Sequence, residues 1–372
     1  MMSAELFMRR QLWLLLFGIF HAYVLLWFWD ILYSYAICGI ILFAFRRLSP
    51  KYLLIAAGVC LVLMTARENR DLYKEKSVIR KGELVAAIDT THTKLTDKQR
   101  EQLATMKELK EKSTPEERKK KVEKQQQAIT GSLADLYEAR SNMAAKGETK
   151  GMYYFLVWDV LLFMFIGLAF FKLGILQGEA KTKLYAWMTV IGLLAGLPLS
   201  YLYMSYELNY DFNNYELVKN LNFEFYEIQR LVHSFGIFGL IMLMYKSGWF
   251  KWLFTLMRPV GQMAFTNYLT QSILCGFFFI GLGIFRVTLE YHQLFYVVAA
   301  VWLIQIIWSH IWLRYFRFGP MEWLWRSLTY WKNNHLPGRM GTLIRLQYLR
   351  PVNISDEKIF VRYHTDCCCC FL

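Results

Sequence analysis

Two stretches limit what this chain can become: LWLLLFGIF, from Leu12 to Phe20, and ILCGFFFIGLGIF, from Ile273 to Phe285. Wound as helices, both are apolar on every side, and such helices face lipid or the centre of a large core. The composition selects lipid. Of 372 residues, 56% are hydrophobic and 19% charged, against roughly a quarter charged in a soluble domain. The fold class is therefore all-α, a polytopic transmembrane helical bundle with an extramembrane helical hairpin insertion.

About eight spans approach the ~30 Å hydrocarbon core: Leu12–Phe28, Ile31–Phe45, Tyr52–Ala66, Met152–Phe171, Leu184–Tyr203, Leu231–Tyr245, Met263–Phe285 and Leu294–Leu313. The second, third and sixth are short. Basic residues sort by side. Arg9, Arg10, Arg46, Arg47, Lys51, Lys172, Lys181, Lys183, Lys246, Lys251 and Arg258 fall in the loops of one side. Only Lys219, Arg230 and Arg286 fall in those of the other. Basic loops stay in the cytoplasm, so both termini are expected inside. The formal net charge of +14 is accounted for by these flanks, and no nucleic-acid partner is expected. The partner is the lipid bilayer.

Residues 1–66 hold the first three spans, and Arg67–Lys150 has a different composition, with 20 Lys/Arg and 15 Asp/Glu in 84 residues. Thr96-Asp97-Lys98-Gln99 and Thr114-Pro115-Glu116-Glu117 open helices as capping boxes. Val122, Ile129, Leu136 and Met143 make a thin seam, expected to pack on Leu103, Met106 and Leu109 as a hairpin or to contact another subunit or protein. The topology places this insertion outside the cytoplasm. Residues 151–317 hold the remaining spans. Residues 318–333 read as an interfacial amphipathic helix, with Met321, Leu324, Trp325 and Leu328 on one face. Residues 334–372 read as a poorly ordered cytoplasmic tail ending in Cys367–Cys370, where Cys369–Leu372 formally matches a prenylation box. Contiguous cysteines lack zinc-site spacing, and no metal is expected.

Within a membrane, ionisable groups mark function by default. They sort here by depth. His21, Asp30, Asp159 and His233 fall in the outer half. Arg258, Asn267, Gln271 and His310 fall in the inner half, with Gln305 between. Asn267 and Gln271 share one helix face, though Asn and Gln also serve as glue between membrane helices. Read on one continuous helix, His21 and Asp30 lie half a turn out of phase and form no obvious dyad. Gly192 and Gly196 form a small-xxx-small packing motif, and Pro198 is expected to kink its helix.

RRQLWLLLFGIFHAYVLLWFWDILYSYAICGIILFAFRR, RPVGQMAFTNYLTQS and FRFGPMEWLWRSLTY together resemble the YeiB-like family of bacterial inner-membrane proteins, a family of unknown function. Members normally begin with one more helix, carrying a Leu-Asp-x-x-Arg-Gly-like motif, and this chain starts after it. The family is distantly similar to membrane acyltransferases that pass acyl groups from a cytosolic donor to an extracytoplasmic sugar, with an intramembrane His as base. The sorting of the intramembrane polar groups by depth, joined to that resemblance, leads to the expectation of a polar path in two halves. The inner groups would bind substrate, Arg258 meeting the phosphate of an acyl-CoA donor. The outer groups would be catalytic, a neutral His taking a proton from the hydroxyl of an envelope glycan or lipid acceptor. No cofactor beyond that donor is implied. A transporter or channel lined by the same groups, and a scaffold recruiting a partner through the hairpin, are the other two readings.

Overall fold

The computed structural model describes residues 3–28, 30–88, 94–281 and 289–331. The tail with its cysteine run, the side chain of Ile129 and the end of the Met263–Phe285 span lie outside the described residues. Among the described residues the chain is helical, with no β-strand. Five helices of the described residues are long and apolar enough to cross a membrane: Pro50–Ala86, Ala134–Lys172, Thr182–Asn209, Tyr226–Ser247 and His292–Tyr315. Leu32–Phe45 is apolar but has only 14 residues. The chain separates into two compact units, one of residues 1–48, 137–160 and 247–372, the other of 49–136 and 161–246.

Among the described residues the α-helices are α1 Ser3–Tyr23, α2 Leu32–Phe45, α3 Pro50–Ala86, α4 Asp97–Lys112, α5 Pro115–Thr130, α6 Leu133–Lys146, α7 Val157–Lys172, α8 Thr182–Asn209, α9 Asn214–Asn220, α10 Tyr226–Ser247, α11 Lys251–Gln262, α12 Ala264–Gly276, α13 Tyr291–Tyr315 and α14 Pro320–Tyr330. Gly147–Leu156 and Phe277–Gly281 take the wider π-helical winding.

In the first unit α1 and α2 form an antiparallel pair whose closeness depends on glycine. A Cβ on Gly18 would lie 2.5 Å from the Tyr33 amide nitrogen, and one on Gly39 would lie 2.6 Å from Gln11 Oε1. The Phe7 and Phe43 rings stack at 4.8 Å at the far end of the pair. Leu32, Phe265 and Leu269 form a buried cluster against which Leu14, Phe17, Met321 and Trp325 pack, so α12 and α14 close on the α1–α2 pair. The Trp325 indole donates to the Arg10 carbonyl at 3.1 Å, and the Arg10 guanidinium lies over the same ring.

In the second unit the helix opened by the apolar run Tyr52–Ala66 does not end at Ala66. The helix continues for 37 residues in all, about 55 Å at 1.5 Å per residue. The charged segment therefore begins as a continuation of a span. Thr96 caps α4 with a complete capping box, and the Thr114 hydroxyl accepts from the Glu117 amide at the start of α5. Met106 is buried, but against Leu72 and Ile79 of α3 and Tyr215 and Val218 of α9. It fills the notch left by Gly82, where a Cβ would come within 2.3 Å of it. Helix α4 thus pairs with α3, where an apolar stripe was available, and α5 supplies no equivalent. Val122, on the expected seam, is exposed.

The small-residue motif of α8 meets α10. A Cβ on Gly192 would sit 2.3 Å from the Gly236 nitrogen, and one on Gly196 would sit 2.8 Å from the His233 Cα. Pro198 is accommodated within α8. Backbone contact this close allows no added methyl. Gly192→Ala should destabilise the protein by about 1–3 kcal/mol, the usual range for overpacking. Gly58→Ala, where nothing lies within 4 Å, should stabilise α3 by up to about 1 kcal/mol, because glycine is entropically unfavourable within a helix. Thermal unfolding of both variants in detergent, followed by tryptophan fluorescence, measures the pair.

Candidate functional site

Helix α1 ends at Tyr23, well short of Phe28. The chain then turns tightly, with the Trp27 amide donating to the His21 carbonyl at 3.2 Å and Leu26 at φ 56°. A bulky residue in the left-handed region is strained. The turn folds the backbone over the helix end and brings Asp30 back to His21. The half-turn mismatch expected of a continuous helix therefore disappears. His21 Nδ1 and Asp30 Oδ1 are 2.7 Å apart, with the two residues 0% and 7% exposed. The expectation of no dyad is overturned, because the helix on which the phase was counted stops after Tyr23.

Asp30 also organises α2. Its Oδ2 accepts from the Tyr33 amide at 2.7 Å, which places a carboxylate at the positive end of that helix. Gly18 makes room for it, since a Cβ there would lie 2.7 Å from the same oxygen.

Helix α12 completes the group from across the unit. Ser272 Oγ lies 2.7 Å from His21 Nε2 and is 6% exposed. One turn earlier, the Tyr268 hydroxyl donates to Asp30 Oδ1 at 3.2 Å and accepts from the Ile31 amide at 3.3 Å. Its ring lies 4.8 Å from the imidazole. With Asp30 as a carboxylate, which can only accept, and His21 as a neutral imidazole, Nδ1 carries the proton and Nε2 accepts from the Ser272 hydroxyl. Asp30, His21 and Ser272 thus form a continuous hydrogen-bonded chain of acid, imidazole and alcohol, the arrangement that activates a hydroxyl for nucleophilic attack.

The other faces of α12 carry polar side chains with different roles. Asn267, 5% exposed, donates to the Val260 carbonyl and to Ser309 Oγ, both at 3.1 Å, and accepts from the Trp308 indole at 3.1 Å. Gln305 donates to the Asn267 carbonyl at 2.8 Å. The Asn267 amide is thus engaged by protein through both its nitrogen and its oxygen, which ties α12 to α11 and α13. Thr266 faces α14. Its amide donates to Glu322 Oε1 at 2.9 Å, its hydroxyl donates to Glu322 Oε2, and it accepts from the Met321 amide at 3.0 Å. The Gly319-Pro320-Met321-Glu322 sequence is therefore a dock, placing a carboxylate against the first turn of α12.

The remaining expected site residues do not join His21. Asp159 lies partly exposed in the first turn of α7, and Gln271 and Arg258 are exposed. The His310 ring lies 2.8 Å from the Ile306 carbonyl of its own helix. His233 belongs to the second unit, where its Nδ1 lies 3.2 Å from Ser200 Oγ. Sequence reasoning left Ser272 out of the candidate site and missed Tyr268. They form an i, i+4 pair one residue on from Asn267 and Gln271, and the same spacing argument applied in the next register finds them.

Residues 170–332 match the family model described as "Protein of unknown function (DUF418)". Uncharacterized protein YxaH of Bacillus subtilis is 29% identical over 345 residues, covering 87% of this chain and 72% of that protein. Uncharacterized protein YeiB of Escherichia coli is 33% identical over 178 residues, covering 46% of this chain and 44% of that protein. An uncharacterized 39.9 kDa protein in the amylase 3' region of Bacillus acidopullulyticus is 27% identical over 164 residues, 41% and 45% of the two chains. No solved structure matches the chain.

Glu322 lies on α14, outside the spans, and burial pushes its carboxyl above the ordinary 4.5, while the Thr266 hydrogen bonds pull it back part of the way. A raised folded pKa means that the folded state binds the proton more tightly than the unfolded state. This contribution should favour folding most below the ordinary carboxylate value and decline as pH rises through the raised one. The wild-type melting temperature should fall more steeply than that of Glu322→Gln over this window. Parallel slopes in a pH series of thermal melts would remove Glu322 as the source.

Proposed function

We propose that this chain, which matches a YeiB-like family of uncharacterised proteins, is an acyltransferase-like enzyme of the bacterial inner membrane that uses His21 as its general base. The observation that carries this reading is the 2.7 Å contact between buried His21 and buried Asp30. A carboxylate on Nδ1 fixes the tautomer, leaves Nε2 free of a proton and stabilises the imidazolium that forms when Nε2 takes one. The chemistry such a pair supports is proton removal from a hydroxyl that attacks an activated acyl group. The donor would be an acyl-CoA or another activated acyl ester, and the acceptor an envelope glycan or lipid. Both termini would be cytoplasmic and the charged α4–α5 region outside. Asn267 serves packing in this reading, since its side chain is engaged by protein.

A deletion strain should lack one acylated envelope glycan or lipid that mass spectrometry detects in the parent. Wild-type chain should restore it. His21→Ala should not, and Asp30→Asn should restore only a small fraction, since a positioned base contributes roughly 10²–10⁴-fold. His310→Ala should restore it fully. Normal complementation by His21→Ala at equal protein level would end the catalytic reading.

A further inference from the structure

We propose that Ser272 is a covalent nucleophile, so that acyl transfer runs through an acyl-serine ester on α12. The inference rests on the His21 base reading and extends it to the identity of the first hydroxyl deprotonated. Nε2 is not directed at open space. Its hydrogen-bonding position is taken by Ser272 Oγ at 2.7 Å, within the range expected of a nucleophile and its base. Ser272 is also the odd hydroxyl of its helix. Thr266 is held by Glu322 and Met321, and Thr270 turns back to the Thr266 and Asn267 carbonyls of its own helix. Thr189, Ser200, Ser205, Ser234 and Thr329 all donate to the carbonyl four residues back, the common way to satisfy a hydroxyl in a membrane helix. Ser272 instead meets an imidazole whose far nitrogen is held by a carboxylate.

Two further contacts fix the geometry. Tyr268, four residues before Ser272, hydrogen-bonds Asp30 and lies against the His21 ring, so one face of α12 sets both ends of the chain. Phe277–Gly281, in π-helical winding, begins five residues after Ser272, and such winding is frequent beside functional positions. The oxygen is buried, which suits a donor whose acyl chain arrives through the apolar surroundings.

In the first step Ser272 Oγ bonds to the acyl carbonyl carbon while its proton passes to His21 Nε2. The tetrahedral adduct collapses by breaking the bond to the leaving group, a thiol or an alcohol, which takes the proton from Nε2. An ester on Ser272 and a neutral His21 remain. In the second step an acceptor hydroxyl attacks that ester, its proton passes to Nε2 and then to the departing Ser272 oxygen, and the acyl group leaves on the acceptor. No oxidant or reductant is involved. The activated acyl could come from a soluble thioester or a membrane phospholipid, and separate arms of the test distinguish the two.

Purified full-length protein would be incubated without acceptor, in one arm with radiolabelled palmitoyl-CoA, in the other in nanodiscs of phosphatidylethanolamine labelled in its acyl chain. The expected result is one acyl group on the peptide containing Ser272 in one arm, absent in Ser272→Ala and formed at least about a hundredfold more slowly in His21→Ala. Ser272→Cys supplies a readout that a structural role would not move. Its adduct should be a thioester, released by neutral hydroxylamine, whereas the wild-type ester should need alkaline hydroxylamine. A label on another residue, or none in either arm, overturns the proposal. If the His21-dependent envelope product persists in Ser272→Ala cells, the nucleophile assignment falls while the base reading stands. Loss of both labelling and His21 dependence removes both.

Discussion

A carboxylate placed among apolar helices must have its charge met by donors, because removing it from water costs several kcal/mol that only good geometry offsets. Asp30 meets that condition three times, from His21 Nδ1, the Tyr268 hydroxyl and the Tyr33 amide. Each donor comes from a different element: the end of α1, the face of α12 and the first turn of α2. The first unit is organised around these bonds. Gly18 lets α2 approach, the strained turn at Leu26 returns the chain, and α12 brings Tyr268 and Ser272 into register. Removing any one would leave a buried polar group without its partner, which is costlier than never having made the bond.

Helix α12 carries this logic on all sides. Its polar residues that meet other helices point in three directions: Tyr268 and Ser272 toward the α1–α2 pair, Asn267 toward α11 and α13, and Thr266 toward the Glu322 carboxylate of α14. A helix polar in so many directions can lie among apolar neighbours only if each group is met by protein. The hydrogen-bonding side chains of GQMAFTNYLTQS therefore serve mainly to hold α12 in fixed relation to the five helices around it. Ser272 differs because its partner is itself a base.

Much of the fold was legible in the sequence. The apolar runs locate the cores of the long helices, Thr96 and Thr114 mark helix starts, and Gly192 and Gly196 mark a close crossing, since each rests on a local pattern. The end of α1 was not legible. Val24–Phe28 continues the apolar run, and neither glycine nor proline announces the stop. Leu26 adopts its left-handed conformation within a turn closed by the Trp27 amide on the His21 carbonyl. Counting phase across that hidden break separated His21 from Asp30. The partner of Met106 was likewise set by the notch at Gly82 in α3, which becomes visible only once α3 extends past Ala66. Glu322 was overlooked because an amphipathic reading of α14 weighs its apolar face and treats its lone acid as solvated.

The account turns on Asp30 fixing the tautomer of His21. The most direct test is ¹⁵N NMR of histidine-labelled protein in lipid, with the His21 signals identified by their loss in His21→Ala. The account predicts a protonated Nδ1 and an unprotonated Nε2 at neutral pH, with the Nε2 resonance moving when Ser272 becomes Ala. A proton on Nε2 with Nδ1 bare would contradict it, because the imidazole would then point no base at Ser272.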